Sequence, residues 1–217
     1  MAPHVIALYS SAPGAGKSTV ARHLCDKHSY TRLSFADPLK RVVETFLIEL
    51  GYDHSCTYSL LRGSLKEVRL PEIGTTPRHL MRTLGTEWGR QCVHPDVWVT
   101  IADKHISRAL SEGRNVVIDD LRFPNEYDLL VNKYNATIWH ITRDLHTKDS
   151  THASDGALEN KFFTGYINNN STIVELLSYV DLLLLPLTCS TKKPPEPDDR
   201  NRNTVGTRLC ISASSPT

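Results

Sequence analysis

The sequence predicts an α/β domain: a parallel sheet covered by helices on both faces. Three observations carry this. Short apolar runs alternate with helical patterns along the chain. The first run, Val5 to Tyr9, ends in a glycine-rich turn that opens a helix, and a later one, Val116-Val117-Ile118, ends in two carboxylates. With 217 residues, 40% hydrophobic and 23% charged, the chain has the material for one large domain.

The elements follow in order. After the strand Val5 to Tyr9 and the turn Ser10 to Gly16, a helix is expected from Ser18 to about His28. Leu33-Ser34-Phe35 is a short second strand. Asp37 then reads as the cap of a helix that starts at Pro38 and carries Leu39, Val42, Val43, Phe46, Leu47 and Leu50 on one stripe, with Gly51 as its stop. Residues 52–75 show no clear period and read as loop with one short helix at most. Thr76-Pro77 opens the next helix, with Leu80, Met81, Leu84 and Trp88 on one side and Arg78, Arg82 and Arg90 on the other; Gly85 and Gly89 weaken it. Asp96 caps a helix striped by Trp98, Ile101, Ala102, His105, Ile106 and Ala109 and ended by Gly113. Asn115 to Asp119 reads as a buried strand, Pro124 to Tyr134 as a helix, Thr137 to Thr142 as a strand, Phe163 to Ile167 as a weaker strand, and Thr172 to about Tyr179 as a helix. From Ser190 the composition turns polar and Pro-rich, so residues 1–189 are expected to form the domain and 190–217 a disordered tail.

Composition excludes several function classes. Lys plus Arg (25) against Asp plus Glu (24) leaves a net charge of +1, too little to attract nucleic acid or a membrane surface by bulk electrostatics. The five cysteines form no C-x-x-C and suit reduced thiols in a cytosol-like compartment better than a disulfide framework or a zinc site. Neither a secretory leader nor a run of the roughly 20 apolar residues that a membrane span needs is visible. The ten histidines show no H-x-x-x-H spacing, and His105, on an apolar stripe, reads as a core residue.

The chemistry concentrates in a few places. Gly14-Ala15-Gly16-Lys17-Ser18-Thr19, between strand and helix, is a phosphate cradle. Bare glycines let main-chain N–H groups turn inward, the helix N-terminus adds its positive end, Lys17 can reach terminal phosphates, and Ser18 can ligate Mg²⁺. Ser11 stands where the full G-x-x-x-x-G-K-[ST] spacing has its first glycine. In a phosphate-loop protein, a carboxylate ending a neighbouring strand holds Mg²⁺ or its waters, so one of Asp119 and Asp120 is a metal-shell candidate; spacing does not choose between them. Arg82, Arg90, Arg122 and Arg143 supply guanidinium forks suited to phosphate oxygens, the last two at strand ends, where open α/β sheets bind ligands.

Six segments in consistent order resemble the deoxynucleoside monophosphate kinases of bacteriophages: Ser10 to Thr19, Phe35-Ala36-Asp37-Pro38-Leu39-Lys40, Arg82 to Arg90, Asp120-Leu121-Arg122-Phe123-Pro124-Asn125-Glu126, His152-Ala153-Ser154-Asp155 and Ile167-Asn168-Asn169-Asn170. The layout is similar, more distantly, to animal phosphomevalonate kinase. The resemblance spans about residues 4–185 and implies a three-layer P-loop kinase fold with a five-stranded parallel sheet. It implies ATP-dependent phosphoryl transfer to a deoxynucleoside 5′-monophosphate, in the cytoplasm, or the host cytoplasm for a viral chain. Pro13, Gly14, Ala15, Gly16, Lys17, Ser18 and Thr19 would hold ATP, and Ser18 with Asp120 would hold Mg²⁺. Asp37, Lys40, Arg82, Arg90 and Arg122 would surround the acceptor, Arg143 would serve as a lid arginine, and the catalytic cations would be Lys17, Arg82, Arg122 and Arg143. Partners would be small nucleotides, with neither membrane nor nucleic acid, and a homodimer stays open.

An acceptor phosphate has a second pKa near 6, so its attacking oxygen is already ionised at neutral pH and needs no general base. A hydroxyl acceptor on a metabolite or a modified DNA base would need a placed carboxylate, and Asp37 is the one that could serve. A non-catalytic ATP-binding module is the other alternative. A lid over residues 143–155 is expected for chemistry that must exclude water.

Overall fold

The computed structural model describes residues 3–144, 158 and 160–189. The expected tail, 190–217, the His152-Ala153-Ser154-Asp155 segment and most of the expected lid lie outside the described residues. Five strands, β1 (Val5–Tyr9), β2 (Thr31–Leu33), β3 (Val116–Ile118), β4 (Thr137–Thr142) and β5 (Gly165–Asn168), form one sheet in the order β2-β3-β1-β4-β5. Every neighbouring pair is parallel, with Ala7 opposite both Ile118 and Ile138. The helices are α1 (Lys17–His28), α2 (Asp37–Glu49), α3 (His54–Leu61), α4 (Pro77–Thr83), α5 (Val97–Ser111), α6 (Pro124–Tyr134) and α7 (Ile173–Cys189).

The strand pleat sorts the core into two layers. Val5, Ala7 and Tyr9 pack with Ile118, Ile138, Ala102, Ile106 and Leu130 beneath α5 and α6. Ile6 and Leu8 face the other way, with Val117, Trp139 and Ile141, against Val20, Ala21 and Leu24 of α1 and Leu176, Val180 and Leu184 of α7. β1 is buried on both faces, which is why it reads as an unbroken apolar run. A third cluster, Val43, Leu47, Leu60, Leu61 and Leu70, joins α2 to the segment that showed no period.

Several expectations need correction. The second strand is Thr31–Leu33, because Ser34, Phe35 and Ala36 instead turn their donors onto the Asp120 carboxylate. Asp37 is the first residue of α2 and makes no capping bond; its carboxylate turns to Lys40 and Arg62. Of the α2 stripe, Val43 and Leu47 are buried while Val42 and Phe46 stay exposed. Residues 52–75 hold α3 and a short turn, Leu65–Glu67. β5 starts two residues later than expected, at Gly165, and α7 continues past Tyr179 through the apolar run to Cys189. Asp96 occupies the cap position of α5, yet its side chain accepts from Asn125 and not from the helix. His105 is only half-buried.

The largest departure follows α4. Thr76 caps it as expected, accepting from His79 N, but from Leu84–Val93 the chain winds wider, as a π-helix. Trp98 explains the widening. Its indole N–H donates to Gly85 O at 2.8 Å, and a Cβ on Gly89 would stand 2.6 Å from that nitrogen. Gly89 is thus the bare wall against which Trp98 packs, while Gly85 supplies the carbonyl and its own open side faces Leu39. Trp88, expected on one side with Leu80, Met81 and Leu84, is exposed.

Candidate active site

In a parallel sheet all strands end at the same edge, and here that edge carries five chemically suggestive segments: the turn after β1, Ser34 to Ala36 after β2, Asp119 to Arg122 after β3, Arg143 after β4 and Asn169 after β5. The chain leaves β1 toward β2 on one side and later returns to place β4 on the other, so β1 stands at the switch point where such sheets bind ligands.

The turn after β1 has the geometry a phosphate cradle requires. Gly14 (φ 76°) and Gly16 (φ 109°) take left-handed conformations, and Gly16 leads directly into α1. The Ala15 side chain is buried in the core beneath, while Asn169 Nδ2 donates to Ala15 O at 2.8 Å from above. A Cβ on Gly16 would lie 2.5 Å from that same Nδ2, so the asparagine clamp and the bare glycine depend on each other. Lys17 is half-buried and Ser18 exposed at the first turn of α1. Asn169 belongs to a segment singled out in the sequence, but its role as a clamp had no local signal.

The two carboxylates after β3 part company. Asp120 is spent on the neighbouring loop: Oδ1 accepts from Phe35 N at 3.0 Å, and Oδ2 accepts from Ser34 Oγ at 2.5 Å and Ala36 N at 3.0 Å. Asp119 is buried, its Oδ2 is paired with Arg32 at 2.7 Å, and its Oδ1 has no hydrogen-bond partner among the described residues. Burial pushes the Asp119 carboxyl up, against the pull of Arg32.

A cleft of about 600 Å³ brings together Lys40, Arg82, Arg90, Arg122 and Asp120, with Phe35, Leu39 and Trp98 among its apolar walls. It also holds two cations that sequence reasoning did not assign to the site, Lys66 and Arg78. Lys66 came from the segment without a period, which is why it was missed. Its pKa is held below the ordinary lysine value by burial first, and then by the positive charges of Lys40, Arg78 and Arg122. Such crowding of like charges marks a place that favours an anion.

Arg90 is fixed by three partners: its guanidinium lies 4.1 Å over the Phe123 ring, donates to Glu126 Oε1 at 2.8 Å and reaches Pro95 O at 3.3 Å. Glu126 is fully enclosed, and its other oxygen accepts from the N–H groups of Arg122 and Phe123 at 2.9 and 3.1 Å. Burial, with the Asp120 charge adding to it, pushes the Glu126 carboxyl up to about 7. The signal for this residue was the glutamate three positions into a helix that follows Phe123-Pro124.

Two expected residues stand apart. Asp37 lines a separate cavity of about 190 Å³ with Arg41, Arg62 and His105, and Arg143 is exposed and lines neither cavity. The phosphate cradle also lies outside the lining of the larger cleft. What joins them is the shared sheet edge: the cradle follows β1, and Asp120 and Arg122 follow β3, its hydrogen-bonded neighbour.

Comparison with known proteins gives four findings. The sequence model of the family described as deoxynucleotide monophosphate kinase matches residues 66–180, more than half of the chain. A provisionally named deoxynucleotide monophosphate kinase of Acanthamoeba polyphaga mimivirus is 30% identical over 181 residues, 77% of this chain and 89% of that protein. The deoxynucleoside-5′-monophosphate kinase of Escherichia phage T5 is 30% identical over 133 residues, 56% of this chain and 52% of that protein. Among solved structures, a dephospho-CoA kinase from Campylobacter jejuni aligns with 86% of this chain and 98% of that one, at TM-score 0.48 and 13% identity, a likeness too loose to carry an argument.

Proposed function

Because this chain belongs to the deoxynucleotide monophosphate kinase family, we propose that it moves the γ-phosphoryl group of ATP onto the 5′-phosphate of a deoxynucleoside monophosphate. The observation that carries the reading is the convergence of Lys40, Arg82, Arg90 and Arg122 on one cleft at the sheet edge that also bears the phosphate cradle.

In this reading, main-chain N–H groups of Pro13 to Thr19 other than the proline, together with Lys17, bind the triphosphate. The guanidinium groups of Arg82 and Arg122 grip the acceptor phosphate. Arg90 has a second task, closing the π-helical segment onto α6 through Glu126. An acceptor oxygen that is already ionised attacks the γ-phosphorus, the bond to the β–γ bridging oxygen breaks, and ADP leaves with no proton to be placed. Arg143, at the end of β4, is assigned to the closed form of the site.

The residues present fit a hard divalent cation. The Ser18 hydroxyl, in the first turn of α1, and the buried Asp119 Oδ1, which follows β3 and has no partner among the described residues, are oxygen donors, whereas both oxygens of Asp120 already serve the Ser34 to Ala36 loop. Ser18 and Asp119 would hold Mg²⁺, with Asp120 as a positioning carboxylate, and the ion would supply charge neutralisation on the phosphates.

A hydroxyl acceptor finds less support. Asp37, the carboxylate offered for that chemistry, faces the smaller cavity, and the carboxylates lining the cleft are engaged: Glu67 with Arg78, Asp120 with the β2–α2 loop, Glu126 with Arg90. The test is a phosphoryl-transfer panel: purified protein, ATP and Mg²⁺ with each deoxynucleoside monophosphate and a hydroxyl-bearing control. ADP formation is expected to require a monophosphate and to yield the diphosphate. ADP formed at the same rate without it, or a phosphorylated control, would overturn the reading.

A further inference from the structure

We propose that His23, His28 and Asp181 form a site for one transition-metal ion of the zinc class, which clamps α7 to the C-terminal end of α1. The Nε2 atoms of His23 and His28 each lie 2.7 Å from Asp181 Oδ1, and the three ligand atoms lie within 4.8 Å of one another. Lys27 Nζ holds the other carboxylate oxygen, Oδ2, at 2.6 Å, so Oδ1 is the one turned toward both imidazoles.

The arrangement is unusual for a purely structural ion pair. One oxygen serves two imidazole nitrogens, which obliges both rings to carry a proton on Nε2. An ion removes that obligation, because two neutral rings then offer their lone pairs inward. Tetrahedral zinc, with bonds of about 2.0–2.1 Å, separates its ligand atoms by roughly 3.3 Å, so entry asks the contacts to open by about half an ångström. Two imidazoles and one carboxylate suit zinc and its neighbours better than magnesium, and leave a fourth position for water.

Sequence and fold place the site deliberately apart from the phosphates. Asp181 interrupts the longest apolar run of the chain, between Val180 and Leu184, which pack on α1. α1 runs from Lys17 at the cradle to His28 just before β2, so His28 sits at the opposite end of the helix from the cradle and His23 about midway along it. Both histidines belong to α1, which ends at His28 because Ser29 turns left-handed (φ 57°) directly after it. With side-chain exposures of 13%, 26% and 29%, the ligands are shielded yet reachable from solvent.

The test is metal titration of the full-length, chelator-stripped chain with zinc chloride by calorimetry and thermal melting, with magnesium chloride as control. One zinc ion per chain is expected, and zinc at a hundred-fold excess over its dissociation constant should raise the melting midpoint by roughly 5–10 °C. His23→Ala and His28→Gln should each weaken binding by at least about ten-fold, and Asp181→Asn likewise. His28→Gln, the mildest change, guards against a variant that simply fails to fold. Cobalt in place of zinc should give d–d bands without a thiolate charge-transfer band. No zinc-dependent rise, an equal rise in the variants, or a thiolate band traceable to a cysteine would overturn the proposal.

Discussion

The Arg90 guanidinium donates to Glu126 Oε1 at 2.8 Å while lying 4.1 Å above the Phe123 ring, and this contact ties the π-helical segment after α4 to the first turn of α6. Enclosing the Glu126 carboxyl penalises its charged form more than Arg90 favours it, so the contact carries a pH signature.

Glu126 titrates near 7 when folded, against an ordinary value of about 4.3. A carboxyl raised on folding contributes stability that is fully present below about 4.3 and is lost as pH rises through about 7. Glu126→Gln should flatten the fall in urea midpoint between pH 5 and pH 8 relative to the parent protein. Identical slopes in the two proteins would remove Glu126 as the source.

Arg82 and Arg122 are exposed cations of the cleft, as is Arg78, which pairs with Glu67, whereas Arg90 is braced. Losing one charge-assisted pair of hydrogen bonds to phosphate costs about 1.5–3 kcal/mol, or roughly ten- to a hundred-fold in kcat/KM for the acceptor. Arg82→Ala and Arg122→Ala should show that loss with the KM for ATP little changed. Steady-state kinetics with each substrate varied in turn checks it, and an unchanged acceptor kcat/KM in both variants would remove them from the site.

Lys66 should behave as a further acceptor cation with a marker of its own. Its pKa lies below the ordinary lysine value because burial and three neighbouring cations disfavour its charge. Acceptor affinity should therefore fall on the alkaline side at a pH lower than an ordinary lysine would give, and Lys66→Met should abolish that limb. A limb that persists unchanged in the variant assigns it to another group.

Asn169→Ala should loosen the cradle without touching the cleft. Its amide donates to Ala15 O, so removal should raise the KM for ATP by about five- to ten-fold, the worth of one buried hydrogen bond, while the acceptor KM stays put. Gly16→Ala should be worse, because φ 109° and the close Nδ2 both oppose a Cβ. An acceptor-side effect in Asn169→Ala would relocate its role.

How far the sequence could be read depended on whether a residue's partner was local. β1, α6 and β4 match their expected limits because apolar runs and proline or asparagine stops are written in neighbouring positions. The glycine turn between β1 and α1 was legible for the same reason. Asp37 was misread as a cap because its real partners, Lys40 and Arg62, include one from a distant segment. The partners of Asp119 and Asp120 were not legible locally, since Arg32 in one case and Ser34 to Ala36 in the other lie across strands. Gly85 and Gly89 suggested a weak helix, when Gly89 makes room for Trp98, nine residues on, and Gly85 hands its carbonyl to the same indole.

The strand order has a consequence for how the molecule comes into being. β1 and β2 emerge early from synthesis, yet neither touches the other in the finished sheet, because β3 lies between them. Until residues 116–118 arrive, both leave an open flank of unpaired main-chain groups. Refolding should therefore wait on that far-reaching insertion, and a nascent chain cut short before Val116 should clump instead of maturing.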